Sequence, residues 1–106
     1  MSKYLLQVRY TQEGSKGLLK DGGSKRRAAA KALVESLGGS LETFYFAFGE
    51  NDAFVIVNMP DAQSAAMASM TIAASGAVTG QITVLLTPEE IDQAVKKSST
   101  YTPPGR

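Results

Sequence analysis

Two apolar segments near the middle of the 106-residue chain, separated by the reversal Gly49-Glu50-Asn51-Asp52, constrain its fold more than any other feature. In Leu41–Phe48 the alternation puts Phe44, Phe46 and Phe48 on one side, with Thr43, Tyr45 and Ala47 on the other. In the return segment Ala53–Met59, Phe54, Ile56 and Asn58 share a side with the preceding Asp52, and Ala53, Val55, Val57 and Met59 share the opposite one. Side chains alternate across a strand, and Gly, Asn and Asp favour tight reversals, so the segments are predicted to pair as a hairpin. Apolar residues on both sides require that both sides be covered.

The flanking chain supplies the cover. Tyr4–Thr11 alternates as a first strand, with Tyr4, Leu6, Val8 and Tyr10 opposed to Leu5, Gln7 and Arg9. Gln12–Gly23, broken by four glycines, reads as a connection with at most one helical turn at Gly17–Asp21. A helix is predicted from the cap Ser24 to Gly38-Gly39, carrying Ala29, Ala30, Leu33, Val34 and Leu37 at helical spacing. Lys25, Arg26 and Arg27 crowd its first turn, where the helix dipole disfavours cations; solvation or a nearby anion would relieve this. Asp61 caps a second helix, about Ala62–Ser75, built of Ala, Met and Ser. A strand, Val78–Leu86, follows, with Ile82, Val84 and Leu86 on one face. Thr87-Pro88-Glu89-Glu90 then forms a capping box for a last helix, about Pro88–Lys97.

The order strand, helix, strand, strand, helix, strand is the split βαβ pattern, so an α+β ferredoxin-like domain with a four-stranded antiparallel sheet and an extra C-terminal helix is expected over residues 1–97. Residues 98–106 are expected to be an extended tail. Two helices can cover only one face of such a sheet. Leu5, Phe54, Ile56, Ile82 and Val84 are assigned to the other, and an exposed apolar face of this kind marks an interface. The expectation is a homodimer with sheets packed face to face, a dimeric α+β barrel.

Composition narrows the chemistry. The chain has no Cys and no His, which removes thiol nucleophiles, thiolate metal sites and imidazole bases. A formal net charge of +1 offers no field for nucleic acid or anionic lipid. No cofactor, metal, nucleic acid or membrane partner is expected. The start Met-Ser-Lys passes directly into a strand without an apolar leader, so the expected location is cytoplasmic.

Several short motifs occur in collinear order: Tyr10-Thr11-Gln12-Glu13-Gly14, Lys20-Asp21, Leu37-Gly38-Gly39, Gly49-Glu50-Asn51-Asp52, Met59-Pro60-Asp61 and Thr87-Pro88-Glu89-Glu90. In this the chain resembles the GYD-domain proteins over roughly residues 3–97. Asn51 stands where that family has its signature Tyr, and the last strand reads Gly80-Gln81-Ile82-Thr83-Val84 in place of a more polar run. The resemblance implies a small dimeric α+β barrel, related in shape to cofactor-free monooxygenases and small-ligand barrels, and no particular reaction.

The polar residues assigned to the interface side are Gln7, Arg9, Asp52 and Asn58, beside Phe54. A few polar groups converging in an apolar pocket form a small-molecule site; pairing of Arg9 with Asp52 or Asn58 would instead set dimer register with no ligand. Asp52, if desolvated, would serve as a general base; alternatively it accepts backbone hydrogen bonds in the turn. Tyr10 and Tyr45 are lesser acid–base candidates. The cations Lys16, Lys20, Lys25, Arg26, Arg27 and Lys31 match no phosphate-binding spacing and read as a solvated face. Glu89, Glu90 and Asp92 are explained by helix capping. Three functions stay open: a small-ligand binding protein, a cofactor-independent monooxygenase or isomerase, and an assembly module.

Overall fold

A computed structural model describes all 106 residues. The elements in chain order are β1 (Ser2–Tyr10), α1 (Gln12–Asp21), α2 (Gly23–Ser36), β2 (Ser40–Phe46), β3 (Ala53–Met59), α3 (Ala62–Ala74), β4 (Val78–Leu85) and α4 (Pro88–Ala94). The strands form one antiparallel sheet in the order β2-β3-β1-β4, a ferredoxin-like α+β arrangement. No helix is long and apolar enough to cross a membrane.

Alternation along the two central strands builds the core. Tyr4 and Leu6 of β1 and Val55, Val57 and Met59 of β3 are buried beneath Val34 of α2 and Ala65 and Ala68 of α3. Helix α2 lies over β2 and α3 lies over β4, so the middle of the sheet is covered from two sides. Helix α2 ends as its glycines require: Gly38 takes φ 82°, and the Gly38 and Gly39 amides donate to the carbonyls of Glu35 and Val34.

Four expectations are corrected. The connection Gln12–Gly23 contains a full helix. Thr11 caps α1 by accepting the Gly14 amide, and Gly14 is buried where a Cβ would overlap the Ala77 carbonyl. Gly14 therefore serves close approach, and its low helix propensity is overridden by packing. Gly22, at φ 81°, turns the chain into α2, so Ser24 lies inside that helix and caps nothing. Strand β2 stops at Phe46, which leaves Phe48 fully exposed in the connecting loop.

The fourth correction concerns Ile82 and Val84, which lie on the face opposite to the one expected. Ile82 pairs directly with Leu6 and Val84 with Tyr4, and directly opposed residues share a face. Both therefore lie on the helix side, Ile82 against the core and Val84 at its rim with 60% of its surface exposed. The open face of β4 is instead Thr79, Gln81, Thr83 and Leu85.

Candidate functional site

The open face separates the residues proposed from sequence into two places. Leu5 and Ile56 pair across β1 and β3 and are half-buried; Phe54, opposite Gln7, lies between Gln7 and Tyr45 in the ladder. Gln7 and Arg9 share a shallow depression with Gln81, Glu50 and Asn51, and the Gln81 amide donates to the Gln7 side-chain oxygen at 2.7 Å. Asn58 is at the far end. It pairs with Lys3, six residues and about 20 Å along β1 from Arg9. There Lys3 donates to Asn58 Oδ1 at 3.1 Å and forms an ion pair with Glu42. This bond to Lys3, together with the Asn58 contact, holds the Glu42 carboxyl below the usual carboxylate range. Arg9 forms an ion pair with neither Asp52 nor any other carboxylate.

Asp52 leaves the open-face group altogether. Its Oδ2 accepts the Tyr10 backbone amide at 2.8 Å, and its own amide donates to the Val8 carbonyl at 2.8 Å. It ties the end of β1 to the start of β3, beside Tyr10, Phe46 and Ala47. The carboxylate thus accepts a backbone amide, but from the neighbouring strand and not from within the turn as expected.

A largely apolar cleft lies on the opposite side of the sheet. Helices α2 and α3 stand apart over the central strands, and between them is a cleft of about 120 Å³. Its floor is Leu6 and Val8 of β1, Val55 and Val57 of β3, and Ile82 of β4. Its walls are Ala29, Ala30 and Leu33 of α2 facing Ala65, Ala68 and Ile72 of α3. The cleft exists because alanine dominates both walls: a methyl group on each side cannot span the gap that two leucines would close. Sixteen of the seventeen lining residues are hydrophobic, and the remaining one is Arg26.

Arg26 is half-buried and has no carboxylate partner. It sits beside Tyr10, whose ring stacks on Phe46 with centroids 6.4 Å apart. Burial raises the Tyr10 phenol above its ordinary pKa, the Arg26 guanidinium draws it back, and the Asp52 charge adds to the rise. The phenol is therefore a neutral donor near a cation. No group of three or more carboxylates is placed to hold a metal ion.

Sequence reading missed this cleft, although its signal was present. Arg26, Ala29, Ala30 and Leu33 recur every three or four residues on α2, and Ala65, Ala68 and Ile72 do so on α3. Two inward stripes of small residues, one of them headed by a cation, mark a gap under the helices where the open sheet face drew attention.

No curated protein and no solved structure matches the chain. The GYD domain matches residues 4–95, from the first strand to the end of the last helix. The chain belongs to the GYD-domain family.

Proposed function

We propose that this GYD-domain protein is a homodimeric binding module whose α2–α3 cleft takes a small, largely apolar molecule carrying one anionic group. The observation that carries the reading is a cleft of about 120 Å³ in which Arg26 is the one lining residue that is not hydrophobic. Apolar pockets with a few placed polar groups are the usual form of small-molecule sites. Left empty, the cleft leaves apolar surface of both helices and the sheet in contact with water. An apolar ligand body displaces that water. Its anionic head would meet Arg26 and the Tyr10 hydroxyl, and it would also relieve the crowding of cations in the first turn of α2.

The other side of the sheet supports the dimer reading. Leu5, Ile56, Phe54 and Tyr45 form an apolar strip that no element of the chain covers, and Tyr45 is 70% exposed. Two such faces stacked together bury one another. Gln7, Arg9 and Gln81 then lie at the rim of the contact.

Native mass spectrometry of the purified protein, paired with the same sample denatured, tests both parts. The expected result is a dimer carrying a small extra mass that is lost on denaturation and absent from an Ala29→Leu variant. An Ala29→Leu dimer that retained the mass would place the ligand elsewhere.

A further inference from the structure

Beyond β4 the chain leaves the domain as an arm. The radius of gyration is 16.8 Å, with a longest extent of 57 Å, whereas a compact chain of this length would give about 13 Å. Helix α4 buries none of its residues. It is nevertheless carefully specified: the Thr87 hydroxyl accepts the Glu90 amide at 3.1 Å, the Glu90 carboxylate accepts the Thr87 amide at 3.0 Å, and Pro88 opens the first turn. A helix of seven residues does not persist alone in water, so capping of this quality is useful only against a surface. Ile91 and Val95, one turn apart and both exposed, form its apolar stripe, with Leu86 exposed just before the cap. Glu90 and Asp92 flank the stripe on either side, and Glu89 lies beyond them.

A surface of matching character lies between α2 and the free edge strand β2. This groove offers about 610 Å³ of open space, with Leu41 and Phe44 along one side and Arg27 and Lys31, one helical turn apart, along the other. Arg27 and Lys31 are exposed and form no ion pair, while the one carboxylate in the groove, Glu42, is already engaged by Lys3. An apolar stripe flanked by carboxylates thus has a counterpart in a mixed groove where Leu41 and Phe44 lie opposite two unpaired cations. Docking there would also shield the unpaired edge of β2.

We propose that α4 of each chain docks in the α2–β2 groove of a second copy. This rests on the face-to-face dimer of the preceding section, and topology explains why the two fit together. In the order β2-β3-β1-β4, a two-fold axis parallel to the strands stacks β4 of one copy on β2 of the other. The register brings the correct ends together: Leu85 pairs with Lys3, Lys3 with Asn58, and Asn58 with Ser40, so the root of the arm lies at the Ser40 end of the sheet. The arm therefore emerges beside the free β2 edge of the partner, and turning around that edge brings it to the groove on the helix side.

The chain lacks cysteine, so the full-length Ala28→Cys/Ala94→Cys variant, altered at two exposed positions, reports the contact by disulfide formation. Mild oxidation is expected to give a covalently linked dimer on a non-reducing gel. Adding Arg27→Glu and Lys31→Glu should slow the linkage by about tenfold, as loss of close charge pairs does, and further Glu89→Lys and Asp92→Lys exchanges should restore it. A disulfide within one chain, or a dimer that keeps its thiols free, would overturn the arm exchange while leaving the dimer standing. Light scattering that shows a monomer would remove the dimer and the exchange together.

Discussion

Tyr10 carries three roles through one side chain and its amide: its ring stacks on Phe46, its amide is held by Asp52, and its hydroxyl faces Arg26 at the cleft. Its raised pKa has a definite consequence. Ultraviolet titration, taken as the difference from a Tyr10→Phe variant, should give a phenolate midpoint above that of free tyrosine. Arg26→Gln should move it higher still, because the guanidinium draws it down. An unchanged midpoint in Arg26→Gln would separate the two groups. Asp52→Ala removes the acceptor of the Tyr10 amide and should cost about 1–2 kcal/mol in urea unfolding. Asp61 and Glu42 titrate with the opposite sense to Tyr10. The Ser64 amide, donating to Asp61 at 2.7 Å, holds that carboxyl low, as Lys3 does for Glu42. A lowered folded pKa contributes stability above the unfolded value, near 4, which is lost as pH falls through the folded value. The midpoint of thermal unfolding should therefore drop below about pH 4, and by less in Asp61→Asn.

At the scale of elements, the strands and the capped helices were legible because their signals are local. Ala53–Met59 alternates without a break and forms β3 with the same limits. Asp61 and Thr87 each cap the helix that follows. Helix α1 was not legible, since Gly14 and Gly17 read as punctuation; the reason for Gly14 is contact with Ala77, sixty-three residues later. Gly14→Ala should thus destabilise by about 1–3 kcal/mol, as overpacking does, despite the better helix propensity of alanine. The face of β4 was also hidden. Alternation groups Ile82 with Val84 but does not state which face the helices cover, and that is settled by pairing with Leu6 and Tyr4. The cleft has no local signal for a related reason. It is formed by what two alanine-rich helices fail to fill, and an unfilled space has no residue of its own in the sequence. Ala29→Leu, which fills it, should raise the unfolding midpoint of the unliganded protein while abolishing ligand uptake.

For the whole molecule, the two faces of one sheet divide the labour. The helix face holds the core and the cleft; the open face presents Leu5, Ile56, Phe54 and Tyr45, where the proposed second copy would pack. Ile56→Asp places an unpaired charge in that contact and should give monomers or insoluble protein by light scattering. The same change at Ile82 would strike the core and unfold the chain, which separates interface from interior. The most direct test of the central claim is a proton–nitrogen NMR titration of the full-length protein with octanoate, an apolar chain ending in one carboxylate. The account predicts saturable shifts at Ala29, Leu33, Ala68 and Ile72, with the Arg26 side chain moving alongside them. Shifts confined to Gln7, Arg9 and Phe54 on the open face, or none at all, would contradict it.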